Sequence, residues 1–293
     1  IAAMDLSTKA VAKLMRKQVY LLSQKKKKEL FKPIENIIHP VRTKLIRKEL
    51  KASQLIGKTQ DGKHIYLFDY MPNSSVMREI GRLRELSFRQ VQEGTGNALD
   101  IDSYDRYYRH LILWDEDELE IIGSYRIGEA AKILKKHGEA GLYTHSLFKF
   151  NQSFIPYLEH SIELGRSFIQ PRYQGKRSLD YLWYGIGAYL YQHPEIRYLI
   201  GPVSLSTSWP EPAQKVIASF YTELFGNNKI LVDPRLPFDF EPIQEFAPFT
   251  QVADEENYKQ AYAILKALMD DFGVKVPILY KQYVELCQPG GCE

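Results

Sequence analysis

The sequence contains little cysteine and no long apolar segment. Among its 293 residues only Cys287 and Cys292 are cysteines, which excludes a disulfide framework and favours a reducing, cytoplasmic compartment. Their spacing is not that of zinc ligands, and neither an HExxH nor a paired CxxC motif occurs, so we expect no metal site. No apolar run approaches about 18 residues, so we expect neither a membrane-spanning helix nor a signal peptide.

The excess of positive over negative charge is also small, a formal net charge of only +3, but it is concentrated in one part of the chain. Residues 1–50 contain 13 Lys or Arg and 4 Asp or Glu, a balance of +9, which leaves −6 for the rest. Such an arm suits an anionic membrane surface, an acidic protein or nucleic acid. No stacking-aromatic motif accompanies it, so we expect no nucleic-acid binding. We predict peripheral contact with the inner face of a membrane through this arm.

The apolar pattern of the first part of the chain predicts a helical extension. Apolar side chains recur at helical spacing in residues 5–31, which include the lysine run 25–28. That run is either a solvated helix end or a contact for phospholipid headgroups or an acidic carrier. Residues 44–50 favour another short helix. We therefore predict a basic N-terminal extension over residues 1–70 and one main domain over residues 71–293.

The rest of the pattern predicts an α/β fold of the mixed α+β kind, with a central mixed sheet flanked by helices. Residues 74–94 predict a helix capped by Ser74 or Ser75, with arginines such as Arg84 largely off its buried stripe. The other predicted elements are a hairpin of strands 108–115 and 119–128, a helix at 129–138, an extended stretch at 142–150, a strand at 161–169, a β-rich run at 197–206, and helices at 211–226, 256–273 and 276–287.

The stretch SIELGRSFIQPRYQGKRSLDYLWYGIGAYL, residues 161–190, predicts a strand, a loop and a helix. Gly165 is a natural position for a β-bulge, and Pro171 ends the strand. Ser178 is the expected N-cap of the helix, whose free amides and partial positive charge favour anions. The loop carries three cations: Arg172, Lys176 and Arg177. They either bind phosphate or merely keep a surface loop soluble, and the strand–loop–helix context favours phosphate.

Within this stretch, ELGRSFIQPRYQG resembles the V-x-P-x-[YF]-R-G motif of the GNAT family of N-acetyltransferases, in which a strand leads to a pyrophosphate-binding loop and helix. The matching residues are Ile169, Pro171, Tyr173, Gln174 and Gly175. Ordinary members have glycines where this chain has Arg177 and Leu179. That departure resembles a subgroup, the ornithine-lipid N-acyltransferases and hemolysin-like proteins, which are distantly similar to acyl-homoserine-lactone synthases.

Three further stretches resemble the same subgroup in the same order: RLRELSFRQVQEGTG (82–96), DIDSYDRYYRHLILWD (100–115) and IIGSYRIGEA (121–130). The resemblance implies transfer of a fatty acyl chain from the phosphopantetheine thioester of acyl carrier protein. The acceptor would be the amino group of a small amino acid such as ornithine, glycine or serine, in aminolipid synthesis, with no tightly bound cofactor. It also implies that residues 1–70 are the tail of a glycerolipid acyltransferase domain and that one more strand follows the C-terminal end.

Acyl transfer from a thioester to an amine needs a neutral amine and a hydrogen-bond donor for the developing oxyanion. By the resemblance, a backbone amide at the Gly165 bulge is the expected donor. Glu163, with Arg166 in the same motif, is the expected general base, directly or through water, or the anchor of the acceptor's ammonium group. The alternative is that Glu163 is a strand carboxylate in a structural ion pair with Arg166 or Arg126.

The resemblance places acceptor binding at Arg126, Asp102 and Asp105. The fork of Arg126 suits an amino-acid carboxylate, whereas an ordinary strand-end arginine is the alternative. The two aspartates either pair with arginines such as Arg84 or act only as loop caps. His110 is a second base candidate, with a structural histidine as its alternative. The donor-binding residues that the resemblance implies are Arg172, Gln174, Gly175, Lys176, Arg177 and Ser178.

Two other functions stay open from the sequence. One is an acetyl- or acyltransferase that uses acyl-coenzyme A and acts on another amine. The other is a module without catalysis that docks on a membrane or an acidic partner through its basic arm. The residues do not specify the length of the acyl chain, the acceptor amino acid or the oligomeric state.

Overall fold

The structure, a computed structural model, describes residues 7–22, 33–226, 230–249 and 255–286. Within them the strands are β1 (Gln54–Lys58), β2 (His64–Asp69), β3 (Arg109–Asp115), β4 (Glu120–Glu129), β5 (Phe148–Phe150), β6 (Ser161–Ile169), β7 (Tyr198–Ile200) and β8 (Val232–Pro234). The α-helices of the same residues are α1 (Thr8–Leu22), α2 (Thr43–Lys51), α3 (Ser75–Gln90), α4 (Ala130–His137), α5 (Ile155–Leu158), α6 (Ser178–Gln192), α7 (Glu211–Phe225), α8 (Glu255–Asp271) and α9 (Ile278–Leu286).

The central sheet contains six of these strands, in the order β1-β2-β3-β4-β6-β7. Neighbours are antiparallel as far as β6, and β7 runs parallel to β6, so the predicted mixed sheet is confirmed. The β6–β7 pairing ends at Glu163 opposite Ile200. A Cβ at the next residue, Gly201, would lie only 2.3 Å from the carbonyl oxygen of Leu164. The chain leaves the sheet at this glycine, while β6 continues beyond its partner.

Alternate strand residues build one apolar layer on each face of the sheet. On one face, Ile65 and Leu111 pack against α6. Gly185 of α6 permits this close approach, because a Cβ there would lie 2.7 Å from Ile65 and 3.1 Å from Leu111. On the other face, Phe68 packs with Ile80 of α3. Helices therefore cover both faces, which is the arrangement that the sequence predicted.

The prediction that residues 1–70 form an extension is wrong for residues 43–69. Strands β1 and β2 form one side of the central sheet, and Ile46 and Leu50 of α2 are buried in the layer beneath α3. The sequence concealed β2 because its residues are buried on both faces, so it lacks the polar–apolar alternation that marks a half-exposed strand. The lysine run 25–28, predicted as a charged helix end, lies outside the described residues.

The start of α3 is held by side chains from two parts of the chain. Ser74 is the N-cap, as predicted, because its Oγ accepts a hydrogen bond from the N–H of Met77 at 3.1 Å. The carboxylate of Glu49 in α2 accepts from the N–H groups of Ser75 and Val76, at 2.9 and 3.0 Å. These bonds satisfy amides that a helix leaves free in its first turn. They fix the orientation of α3, which carries part of the polar site.

Residues 142–150, predicted as extended, form a strand only at β5. Residues Glu139–Gly141 and Thr144–Ser146 are short 3-10 turns, and β5 pairs with β8 in a separate two-stranded sheet. The extended prediction is wrong for Thr144–Ser146, because the N–H groups of Tyr143 and Thr144 donate to the buried carboxylate of Glu163 rather than to a neighbouring strand.

The helices that follow the sheet form a separate apolar cluster, built mainly from α7, α8 and α9. Helix α9 also contacts α6, where the ring of Tyr283 meets that of Trp183 edge-on with centroids 5.7 Å apart. Both cysteines and the strand expected after them lie outside the described residues. Among the helices that are described, none has the length and apolarity needed to cross a bilayer.

Candidate active site

A β-bulge interrupts β6 directly after Gly165, the predicted position. Gly165 lies opposite Arg126 of β4, and Phe168 lies opposite Ser124, so two residues of β6 oppose Tyr125 alone. The first of them, Arg166, has a φ of 49°, a left-handed conformation that residues other than glycine seldom adopt. The bulge turns the guanidinium of Arg166 toward the α3 face of the sheet, where it meets two aspartates.

A network of arginines and aspartates lies on that face. Arg84 Nη1 is 2.8 Å from Asp105 Oδ1, and Arg126 Nη1 is 2.7 Å from Asp102 Oδ1 and 3.4 Å from Asp105 Oδ1. Arg166 Nη2 lies 3.5 Å from Asp102 Oδ2. The side chains of Arg84 and Asp105 are fully buried, whereas those of Arg166 and Asp102 are 23% and 24% exposed. Among the described residues of the network, the end at Arg166 and Asp102 is therefore the one open to solvent.

The burial of Arg84 corrects the prediction that it lies off the buried stripe of α3. A helix can bury an arginine where carboxylates neutralise it. Although burial alone would raise it, Arg84 and Arg126 hold the pKa of Asp105 well below its usual range. The structure thus brings together the predicted residues Asp102, Asp105, Arg126 and Arg166, and joins Arg84 to them.

His110 is buried behind the network and is poorly suited to act as a base. Its Nδ1 lies 3.3 Å from Arg84 Nη2, and its Nε2 lies 3.3 Å from the carbonyl oxygen of Asp105. Burial, and then Arg84, lower the pKa of His110 to about 3. A neutral ring that accepts from the arginine through Nδ1 and donates to the carbonyl through Nε2 satisfies both contacts. This geometry favours the structural alternative.

Glu163 is buried and accepts four hydrogen bonds. The N–H groups of Tyr143 and Thr144 donate to it at 2.9 and 2.5 Å, and the hydroxyls of Tyr108 and Thr144 donate to it as well. Burial, and then Glu163, raise the pKa of Tyr108, which therefore stays a donor. Neither predicted ion pair of Glu163 forms among the described residues, because the two candidate arginines face aspartates. Its geometry favours anchoring of the 143–144 turn over proton abstraction.

Tyr143 was not predicted, and it stands at the open end of the network. Its ring lies 5.4 Å from the guanidinium carbon of Arg126 and 5.3 Å from that of Arg166. The ring of Tyr104 meets it edge-on at 5.6 Å. Sequence reasoning missed this residue because its contacts come from a turn fixed by Glu163. The dense tyrosines of residues 104–108 were the available signal.

The predicted donor loop follows β6 and borders a cleft of about 740 Å³. Arg172 pairs with Glu120 and donates to the hydroxyl of Tyr173 at 2.7 Å. Lys176 and Arg177 are exposed and lie over the rings of Tyr173 and Tyr181, at 5.2 and 5.4 Å. Other lining residues are acidic: Asp61, Asp115, Asp117 and Glu118. The loop thus offers two cations with no carboxylate partner among the described ion pairs.

The N-cap of α6 differs from the prediction. Arg177 is the cap residue and makes no side-chain capping bond, while Ser178 Oγ donates to the Tyr173 carbonyl at 3.2 Å. The Ser178 prediction is wrong because its hydroxyl is used to close the loop. Gly175 has a φ of 73°, a left-handed conformation suited to glycine, and Gln174 Nε2 donates to the Ile169 carbonyl at 3.2 Å. The first turn of α6 therefore keeps its amides available to an anion.

Helix α9 supplies another unpredicted contact beside the bulge. The hydroxyls of Tyr283 and Tyr125 lie 2.9 Å apart. Burial raises the pKa of both phenols, and Tyr125 is shifted well above its usual value. Two protonated hydroxyls thus lie on the α6 face of the strand whose other face carries the ion network.

Sequence comparisons agree with this fold and site. Residues 83–184, from α3 into α6, match the acetyltransferase (GNAT) domain family. The mixed sheet, the bulge in β6 and the loop before α6 belong to this matched segment or continue from it. The fold and this match therefore define a domain of the GNAT type.

Matches to whole proteins are longer. The chain is 32% identical over 267 residues to a glycine N(alpha)-acyltransferase of Phocaeicola vulgatus, covering 86% of this chain and 81% of that protein. It is 34% identical over 268 residues to a glycine N(alpha)-acyltransferase of Bacteroides thetaiotaomicron, covering 86% and 78%. An L-ornithine N(alpha)-acyltransferase of Rhizobium meliloti matches at 30% over 117 residues, 38% of each chain. The chain belongs to this family of N-acyltransferases, and the predicted resemblance is confirmed.

Proposed function

We propose that the protein transfers a fatty acyl group from a thioester to the α-amino group of a small amino acid, glycine first, and so makes the N-acyl amino acid part of an aminolipid. The ammonium group of the acceptor first loses one proton to water. The neutral amine nitrogen then attacks the thioester carbon, the carbon–sulfur bond breaks, and the second proton that the nitrogen loses goes to the leaving thiolate. The observation that carries the proposal is the half-open pair of Arg166 and Asp102 beside the bulge, in a chain similar to glycine N(alpha)-acyltransferases over most of its length.

The acceptor site is proposed at this pair. A free amino acid is a zwitterion, and it needs one cation and one anion close together. Arg166 suits its carboxylate and Asp102 its ammonium group. Arg126 and Asp105 are too deeply buried for direct contact, so they support Asp102 from behind. A backbone amide of the bulge at Gly165 is the proposed oxyanion donor, a contribution of about 3–4 kcal/mol in comparable sites.

The donor site is proposed at the start of α6. Free helix amides, Lys176 and Arg177 together attract a phosphate group, because a helix N-terminus carries partial positive charge. The phosphate would belong to the phosphopantetheine arm that carries the acyl chain as a thioester, and we propose acyl carrier protein as the acyl donor. The two exposed cations fit an acidic carrier. Coenzyme A shares the same arm, and its use is an outcome of the test below.

The test is incubation of the purified protein with acyl carrier protein loaded with chains of different length, or with the matching acyl-coenzyme A, and a mixture of amino acids. Mass spectrometry should detect N-acylglycine with carrier protein as donor. Equal turnover with coenzyme A would overturn the choice of carrier. Absence of any acylated amino acid with both donors would contradict the proposed activity itself.

We also propose that α1 helps the protein to bind an anionic membrane. Lys9, Lys13 and Lys17 are exposed on this helix, and Met15 and Val19 are 50% and 65% exposed beside them. Basic helices with an apolar face bind anionic lipid surfaces. Reversal of the three lysines to glutamate should abolish cosedimentation with vesicles that contain anionic lipid and leave the acyltransferase activity on soluble substrates unchanged. Unchanged cosedimentation would refute the membrane proposal.

A further inference from the structure

We propose that the ring of Tyr143 limits the size of the acceptor amino acid, and that Glu163 is the positioning residue that holds this ring in place. This inference rests on the proposed acceptor site at Arg166 and Asp102. It assigns specificity to a turn that no sequence motif marked, and it gives a role to a buried glutamate that the ion network does not use.

The first step is the position of the ring. Tyr143 is half-buried and lies 5.3 Å from the guanidinium carbon of Arg166, the group proposed to bind the acceptor carboxylate. It also lies 5.4 Å from that of Arg126, so it spans the boundary between the buried and the open parts of the network. An amino acid bound by Arg166 therefore has an aromatic wall beside it.

The second step is the rigidity of that wall. The N–H of Tyr143 donates to Glu163 at 2.9 Å and lies 3.2 Å from the hydroxyl oxygen of Tyr108. The preceding turn is packed tightly on α4, because a Cβ at Gly141 would lie 2.5 Å from the Cβ of His137. Moving the backbone of this turn would break bonds to a buried carboxylate, at about 1–3 kcal/mol for each group left unsatisfied. The edge-on contact with the ring of Tyr104, at 5.6 Å, restricts rotation of the Tyr143 side chain. The ring therefore acts as a fixed boundary.

The third step is the geometry of the acceptor. With its carboxylate on Arg166 and its amine at Asp102, two of the substituents on the acceptor's α-carbon are fixed. With the amine also facing the thioester carbonyl, the proposed binding mode places the acceptor side chain in the space beside Arg166 that is bounded by Tyr143 and Tyr104. Glycine needs no room there and serine needs little, whereas a long side chain such as that of ornithine meets the rings.

The test compares Tyr143→Ala with Tyr143→Phe, which keeps the ring and removes only the hydroxyl. The ratio of kcat/KM for glycine to that for ornithine should fall at least tenfold in the alanine variant and stay within about twofold in the phenylalanine variant. An unchanged ratio in Tyr143→Ala, with thermal unfolding at the wild-type temperature, would overturn the inference. A wild-type enzyme that acylates no amino acid would overturn the proposed function instead.

The role of Glu163 is tested by Glu163→Gln, which keeps the shape of the side chain and removes its charge. A positioning residue predicts a higher KM for glycine, a lower glycine-to-ornithine ratio and a kcat within a few-fold of wild type. A general base predicts the opposite, a fall in kcat of about 10²–10⁴-fold with little change in KM. Thr144→Val should reproduce the selectivity loss in part, and Thr144→Ser, which keeps the hydroxyl donor, should not.

Discussion

Replacement of Arg84 by methionine tests whether the buried ion network stabilises the protein. Arg84 is fully buried, and its Nη1 lies 2.8 Å from Oδ1 of Asp105. Methionine preserves much of the volume but leaves Asp105 with Arg126, at 3.4 Å, as its guanidinium partner among the described residues. Because a buried charge is then only partly compensated, we expect the free energy of unfolding to fall by about 3–5 kcal/mol.

The loss should depend on pH in a defined direction. The pKa of Asp105 lies below its usual range when the protein is folded, and Arg84 is the largest of the causes that lower it against the effect of burial. Its charged form therefore stabilises the folded state above the unfolded pKa of about 3.9, and this stabilisation is lost as the pH falls below that value. The Arg84→Met variant has less of this charge-dependent stabilisation to lose on acidification. The difference between the two proteins should be largest at neutral pH and should narrow below about pH 4.

Urea unfolding followed by tryptophan fluorescence measures both effects. Arg78→Met is the matched control, because Arg78 is exposed on the same helix and surface changes usually stay within about 0.5 kcal/mol. Addition of Asp105→Asn to the Arg84 variant should restore part of the lost stability by removing the uncompensated charge. A loss below about 1 kcal/mol at pH 7, or a double variant weaker than the single one, would refute the reasoning.

Three further predictions concern the donor side of the site. Lys176→Ala with Arg177→Ala should raise the KM for the acyl donor about tenfold at low salt and less at high salt, because exposed charges are screened; Lys136→Ala, an exposed control on α4, should change nothing in steady-state kinetics. Gly175→Ala should destabilise the loop by about 1 kcal/mol, since the site is open and only the positive φ opposes a side chain; a thermal melt equal to wild type would contradict this. Tyr283→Phe removes the hydrogen bond to the hydroxyl of Tyr125 and should lower the free energy of unfolding in urea by about 1 kcal/mol. A larger loss would mean that the ring itself had moved.

The parts of this fold that the sequence predicted are those set by local chemistry. Ser74 before an apolar helix stripe, a hairpin across an acidic turn, and Gly165 in the middle of a strand that ends at a proline were each visible within a few residues. The elements named from them occur with nearly the same bounds. The family resemblance added the order of these pieces, which the comparisons confirm.

The parts that the sequence missed depend on contacts between distant residues. Arg84 appeared to be a surface residue because helical periodicity assigns a charge to the solvent face, and only the strand opposite shows that aspartates meet it. The sequence predicts an extended stretch at Tyr143 because this turn is held through its own backbone amides, which leave no trace in residue type. The motif singles out Glu163, but the role expected of it as a base assumes a free carboxylate oxygen, whereas both of its oxygens accept hydrogen bonds.

The carboxylate of Glu49 fastens α2 to the start of α3, so α2 acts as a brace for that helix. It holds the first turn of α3, and about two and a half turns later the same helix delivers Arg84 to the ion network. A protease cut or a fusion junction placed between α2 and β1 would detach the brace and loosen the acceptor pocket from a distance. A truncated version of this enzyme must therefore begin before Thr43, and a protein fused to its N-terminal side must be joined before that residue.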